Sequence, residues 1–119
     1  MELDLSGRVA LVTGGGRGVG RAVALAYAAA GADVVVAART SAEIDSCAEQ
    51  MRALGRRALA VPTDVADPSQ VDSLFEATRR ELGEVDILVN NAAGPSGVGD
   101  LWQIESDDWR ECMQVNLDS

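Results

Sequence analysis

The stretch Thr13-Gly14-Gly15-Gly16-Arg17-Gly18-Val19-Gly20 decides the fold of this chain, because of the residues on either side of it. Residues 8–13, RVALVT, form a short apolar run of the kind that favours a strand. Residues 21–30, RAVALAYAAA, are mostly strong helix formers. Glycine residues between a strand and a helix permit a sharp turn and let the helix pack close to the sheet. The sequence therefore predicts a strand, a glycine-rich turn and a helix, in that order.

The rest of the chain repeats this alternation of strand and helix. Three more apolar runs predict strands at residues 33–38, 58–63 and 85–89. Further helices are predicted at residues 41–54, 68–82 and 106–117. Alternating strands and helices form right-handed βαβ units, with parallel strands and with helices on both faces of the sheet. We therefore expect one α/β domain over residues 1–119, a Rossmann-type doubly wound parallel sheet with strand order 3-2-1-4.

Composition and charge argue against several classes of protein. Hydrophobic residues make up 47% of the chain and charged residues 24%, which is ordinary for a soluble globular domain. The net charge of −9 disfavours nucleic acid and anionic membranes as partners, and no apolar run is long enough for a transmembrane helix. The acidic start of the chain does not resemble a signal peptide, so we expect a cytoplasmic location. Cys47 and Cys112 form no C-x-x-C motif, and we expect both to be free thiols. Histidine is absent, and we expect no metal site.

The glycine turn is the first candidate binding site. Ligands of parallel α/β sheets bind at the carboxyl ends of the strands, where this turn lies. The helix that follows offers free N–H groups and a positive dipole end, which suit the diphosphate of a dinucleotide. The motif T-G-x-x-x-G-x-G differs from the G-x-G-x-x-G fingerprint, and the absence of Gly-Lys-Ser/Thr excludes a P-loop. The alternative is a glycine-rich turn that binds nothing.

The residues after the second strand bear on the choice of cofactor. An NAD-binding fold usually has an acidic residue there, which binds the ribose 2′-hydroxyl. This chain has Ala37-Ala38-Arg39 instead, and Arg39 can pair with a 2′-phosphate. Arg17 in the glycine turn is a second cation nearby. We therefore expect NADP(H) to be preferred over NAD(H). The alternative is that both arginines are solvated surface charges.

Two further motifs make the pattern specific. Asp64-Val65 follows the third strand, and Asn90-Asn91-Ala92-Ala93-Gly94 follows the fourth. Together with T-G-x-x-x-G-x-G, these motifs resemble the short-chain dehydrogenase/reductase family from Leu5 to Ser119. The family usually has N-N-A-G, so the additional Ala93 leaves the fine geometry of this loop open. The resemblance implies an oxidoreductase that transfers hydride between NADP(H) and a small carbonyl or secondary-alcohol substrate.

The resemblance also implies roles for single residues. Asp64 would accept a hydrogen bond from the adenine amino group, Val65 would pack beside the adenine ring, and Val19 would lie near the diphosphate. Asn91 and Ala92 would line the adenosine ribose, and Asn90 would brace the sheet. The residues expected to bind the cofactor are Thr13, Gly14, Gly15, Gly16, Arg17, Gly18, Val19, Gly20, Arg39, Asp64, Val65, Asn90, Asn91, Ala92 and Gly94.

Simpler interpretations remain for these polar residues. Asp64, Asn90 and Asn91 are also ordinary turn formers at strand ends. Asn116 matches the helix Asn that holds a water of the proton relay in the family, and it is the catalytic candidate of this chain. Taken alone, a helix Asn is more often a surface residue, so the assignment of Asn116 depends on its place after the Asn-Asn-Ala loop.

The catalytic Ser and Tyr-x-x-x-Lys of the family come after the matched segment. The single Tyr of this chain is Tyr27, Gly31 stands where the Lys would be needed, and Lys is absent. We therefore expect a domain truncated before its catalytic segment, inactive alone, with its fourth strand at an exposed edge. The full-length form is expected to be a homo-oligomer. The alternatives are a non-catalytic NADP(H)-binding module, such as a pseudoenzyme that partners another chain, or a remnant that neither folds nor binds.

Overall fold

The structure, a computed structural model, describes residues 4–14 and 18–90 in full and the backbone of residues 113–116. Its elements are β1 (Val9–Thr13), α1 (Gly18–Ala29), β2 (Asp33–Ala38), α2 (Ser41–Ala53), β3 (Ala58–Pro62), α3 (Pro68–Glu81), β4 (Ile87–Asn90) and β5 (Met113–Asn116). The strands form one parallel sheet in the order β3-β2-β1-β4-β5. The predicted order 3-2-1-4 is confirmed, and β3, whose Pro62 cannot donate to a ladder, lies at an edge.

Helices cover both faces of the sheet, as a doubly wound fold requires. On one face, α1 and α2 pack through small and medium side chains such as Ala24, Ala28 and Ile44 against Val12 and Val34. On the other face, α3 packs through an apolar stripe against alternate strand residues. The buried residues of this cluster are Leu11, Val35, Ala37, Val71, Leu74, Phe75, Val85 and Leu88. Burial on both faces explains why β1 and β2 are almost uninterrupted apolar runs.

The predicted helix over residues 106–117 is wrong for residues 113–116, which form β5. This strand pairs in parallel with β4, from Ile87 beside Met113 to Asn90 beside Asn116. The sequence Met-Gln-Val-Asn alternates apolar and polar residues, as strands do, and pairing satisfies the backbone groups on the outer side of β4. The prediction that β4 lies at an exposed edge is therefore also wrong. The remaining residues of the predicted helix lie outside the described residues.

A buried polar contact joins the ends of β1 and β4. Thr13 and Asn90 are partners in the parallel register, and both side chains are buried. The Thr13 hydroxyl lies 3.2 Å from Oδ1 of Asn90 and 3.3 Å from the carbonyl oxygen of Val89. Because a hydroxyl has one hydrogen, it donates to these two acceptors in turn or shares the hydrogen between them. The contact gives the amide of Asn90 a donor in a place where water has little access.

Replacing Thr13 by Val tests this contact, because Val has nearly the same shape and no hydroxyl. We expect a loss of about 1–3 kcal/mol in the free energy of unfolding, since Oδ1 of Asn90 loses a buried donor. The matched control is Thr78→Val, because the buried Thr78 hydroxyl bonds to the carbonyl of Leu74 at 2.8 Å within the same helix. Removing that bond orphans no side chain, so the control should change stability less. Equal losses in urea unfolding of the two variants would contradict the role of the Thr13 contact.

Candidate cofactor-binding site

The parallel register brings three of the predicted segments together at the carboxyl end of the sheet, called the carboxyl edge below. The backbone N–H of Gly14, just after β1, donates to the carbonyl of Ala37 at 2.7 Å. The N–H of Thr63, just after β3, donates to the carbonyl of Ala38 at 2.9 Å. The glycine turn and the Asp64 loop are thus both tied to the last residues of β2. Arg39 leaves the sheet between them.

The start of α1 has a backbone geometry that would let a diphosphate approach closely. Gly14 and Gly18 have φ values of +65° and +62°, in the left-handed region that glycine adopts readily. Among the described residues, a Cβ added at Gly18 would meet no atom within 4 Å, so these residues leave open space beside the backbone where the helix begins.

The first turn of α1 also suits an anion electrostatically. It contains no acidic residue, and the first four N–H groups of a helix have no partner within the helix. Gly20 is buried, whereas the Val19 side chain is 49% exposed and offers an apolar surface at the helix start. The described part of the turn therefore fits a diphosphate. Gly15, Gly16 and Arg17 lie outside the described residues.

The end of β2 carries a cation and no carboxylate. Ala38 is half-buried, and Arg39 directly after it is exposed. Within the described part of the chain, the guanidinium of Arg39 has neither a hydrogen bond nor an ion pair. Its position next to the loop that contains Gly14 leaves its donors available to an anion at this edge.

Asp64 has two oxygens in different situations. Oδ1 accepts the N–H of Ala66 at 3.0 Å and so closes a tight turn, which agrees with the simpler interpretation of this residue. No hydrogen bond to Oδ2 occurs within the described residues, and the side chain is only half-buried. Val65 packs partly against the core on the α3 side of the sheet. The turn therefore leaves one carboxylate oxygen for a ligand.

Gln70 is a residue of this region that the sequence analysis missed. Its Oε1 accepts the N–H of Asp64 at 2.8 Å, and its Nε2 donates to Asp67, the N-cap of α3, at 3.2 Å. The signal for it was present, because Asp67 and Gln70 have the spacing of a capping box. Here the glutamine reaches back past the cap residue and holds the Asp64 turn.

The other chemically active side chains of the described residues lie away from this edge. Tyr27 packs against the core on α1, and its carbonyl accepts the N–H of Ala32. Burial raises the pKa of the Cys47 thiol, and the positive charge of Arg21 lowers it in part. A buried thiol of this kind is unreactive. Among the described residues, no cluster of three potential metal ligands and no helix capable of crossing a membrane are found.

The pairing of β4 with β5 places two more predicted residues side by side. Asn90, 8% exposed, ends β4 and is held by Thr13. Asn116 ends β5 next to Asn90 in the register, although its predicted setting was a helix. The other predicted residues of this region, Asn91, Ala92 and Gly94, lie outside the described residues.

Three comparisons with known proteins bear on this site. An uncharacterized oxidoreductase of Mycobacterium tuberculosis is 52% identical over 90 residues, or 76% of this chain and 34% of that protein. The crystal structure of L-sorbose reductase from Gluconobacter frateurii complexed with NADPH and L-sorbose has a TM-score of 0.74 and 40% identity, over 79% of this chain and 36% of that one. A 7α-hydroxysteroid dehydrogenase complexed with NADH and 7-oxo glycochenodeoxycholic acid has a TM-score of 0.75 and 36% identity, over 78% of this chain and 36% of that one.

These matches cover most of this chain but only a minor part of each similar protein. The chain spans less than half the length of the curated relatives that it matches. A family model described as short chain dehydrogenase nevertheless matches almost all of it, over residues 8–119. Together with the parallel sheet and the glycine turn at its carboxyl edge, this match shows that the chain belongs to the short-chain dehydrogenase/reductase family.

Proposed function

We propose that this chain is the NADP(H)-binding part of an oxidoreductase that interconverts a carbonyl group and a secondary alcohol. The observation that carries the cofactor choice is Arg39 at the end of β2, which is exposed and unpaired among the described residues and stands where NAD-binding folds place an acid. Similar proteins do not decide the choice, because one is complexed with NADPH and another with NADH. The cofactor preference of this chain is therefore inferred from its own residues.

Each part of the site would bind a different part of the cofactor. The first N–H groups of α1 would bind the diphosphate, with the backbone approaching closely at Gly18. Arg39 would pair with the 2′-phosphate, which a carboxylate at this position would repel. Asp64 would accept the adenine amino group on Oδ2 while Oδ1 keeps the turn closed. The buried Thr13–Asn90 contact holds the strand ends beneath the cofactor.

The chemical step needs groups that the described residues do not bring together. Bound nicotinamide supplies or accepts a hydride, and the carbonyl gains that hydride on carbon and a proton on oxygen. Tyr27 is buried in part against the core on α1, so it is not a proton donor at this edge. Asn116 at the end of β5 is the residue of this chain that we propose to hold a water for proton transfer. The 119-residue chain itself is proposed to bind the cofactor without turnover.

Replacing Arg39 by Asp tests the assignment of the cofactor. We expect NADPH binding, measured by calorimetry, to weaken by about tenfold or more, because a bidentate charged contact becomes a repulsion. NADH binding should be unchanged or tighter, since an acid can bind the 2′-hydroxyl. The charge-matched control is Arg80→Asp on α3, where Arg80 is 71% exposed at its side chain. An equal loss of NADPH and NADH binding in the Arg39 variant would contradict the proposed role.

Two substitutions at Asp64 separate its roles in the turn and in adenine binding. Asp64→Asn keeps an acceptor for the N–H of Ala66 and places an amide NH₂ where the second oxygen was. We expect this variant to keep its thermal unfolding midpoint and to bind NADPH several-fold more weakly. Asp64→Ala should lose both stability and binding, because the turn acceptor is also gone. If Asp64→Asn binds NADPH as well as the unaltered chain, Asp64 is only a turn residue.

A chimeric enzyme tests whether this chain directs hydride transfer. Residues 1–116 would replace the matching segment of the 7α-hydroxysteroid dehydrogenase, whose own C-terminal portion completes the protein. With the 7-oxo bile acid as substrate, we expect a higher kcat/KM with NADPH than with NADH. The unaltered dehydrogenase, measured with both cofactors, is the control. A folded chimera that is inactive, or that retains the cofactor preference of the dehydrogenase, would argue against the proposed function.

A further inference from the structure

The outer side of β3 is an open edge of the sheet with a defined set of backbone groups. The carbonyl of Arg57 accepts the N–H of Val34 at 3.1 Å, and the N–H of Thr63 donates to the carbonyl of Ala38 at 2.9 Å. These bonds show that odd-numbered residues of this segment face β2. Because the direction of backbone groups alternates along a parallel strand, those of Ala58, Ala60 and Pro62 point outward.

This edge is unusual because it has an apolar sequence, Ala58-Leu-Ala-Val-Pro62, and no charged residue within the strand. Four of its five residues are half-buried and the fifth, Pro62, is exposed. An exposed apolar edge strand presents unpaired backbone groups that invite pairing with another chain, and proteins protect such edges with charged side chains or proline. Pro62 already removes one outward donor, which leaves Ala58 and Ala60 to be protected.

Arg52 occupies one of the remaining outward groups. It lies in the last turn of α2, and its Nη2 donates to the outward carbonyl of Ala58 at 2.9 Å. The contact crosses from a helix to the edge of the strand and places a charged, planar group at the position where a further strand would run. Among the described residues, the outward N–H and carbonyl of Ala60 form no hydrogen bond. Ala60 is therefore the open position between Arg52 and Pro62.

We propose that Arg52 closes the edge of β3 against pairing with β3 of a second copy of this chain. An antiparallel pair centred on Ala60 would be self-complementary, with each Ala60 bonding to its counterpart and each Ala58 opposite Pro62 of the other copy. In that arrangement the second strand takes the place of the Arg52 guanidinium beside Ala58. Pairing must therefore displace Arg52, and its removal opens the edge to a second copy.

The neighbouring Arg56 provides a matched control for charge. Its Nη1 reaches the carbonyl of Gly31 at 3.5 Å, away from the outward groups of β3. Replacing either arginine by Ala changes the net charge from −9 to −10. The added repulsion opposes self-association in both variants. Stronger association of the Arg52 variant alone therefore cannot come from the change in charge.

The experiment is sedimentation velocity of the purified chain over a range of concentrations. We expect Arg52→Ala to self-associate about tenfold or more tightly than the unaltered chain, and Arg56→Ala to associate no more tightly than it. Adding Ala60→Pro to the Arg52 variant removes the outward N–H of Ala60 without breaking a bond to β2, and it should reverse the association.

Two outcomes would overturn the proposal. In one, Arg52→Ala associates no more than the unaltered chain. In the other, it associates equally well with Ala60→Pro, so another surface is responsible. Arg52→Met, which keeps a long helix-forming side chain without donors, gives the same test if the Ala variant does not fold. Hydrogen exchange provides a second readout, since the Ala60 amide should be exposed in the unaltered chain and protected in the associated Arg52 variant.

Discussion

The pairing of β1 between β2 and β4 is the constraint on which the proposed site depends. β1 is buried along its whole length, and Thr13 at its end is in register with both Ala37 and Asn90. Because all three strands run in the same direction, their carboxyl ends coincide, and the chain must leave the sheet there in three adjacent loops. Gly14, Arg39 and Asn90 lie at the same end of the sheet for this reason. A change of register would separate them without altering any of their side chains.

The acidic side chains of this chain are distributed unevenly around the proposed anion site. Two carboxylates lie at the amino ends of strands, where Asp33 binds Arg57 at 2.8 Å and Asp86 accepts the N–H of Val9 at 2.9 Å. Asp67 caps α3, and hydrogen bonds from Ser69 hold the pKa of its carboxyl below the ordinary value. The first turn of α1 contains no acid. Although the net charge is −9, the first turn of α1 therefore contributes no negative charge that would repel a diphosphate at the proposed position.

The outer sides of β4 and β3 are satisfied in different ways. At one edge, β5 supplies a further strand and pairs with β4 over four residues. At the other edge, Pro62 lacks an outward donor and Arg52 binds an outward carbonyl of β3. A strand can be buried on its faces and still have unpaired backbone groups along its side. Here a further strand pairs with those of β4, whereas one arginine and one proline reduce those of β3.

The sequence by itself determined the alternation of strands and helices along residues 8–90, because local propensity and burial on both faces agree there. The strand order followed from the doubly wound fold that this alternation predicts. Only the tertiary structure decided the conformation of residues 113–116. Their sequence is compatible with a helix, but they form a strand because they pair with the outer side of β4. It also decided the partners of Thr13 and Arg52, since each bond joins different elements of the fold. Propensity is a local property of the chain, whereas such bonds depend on which polar groups of other elements the packed sheet brings within reach.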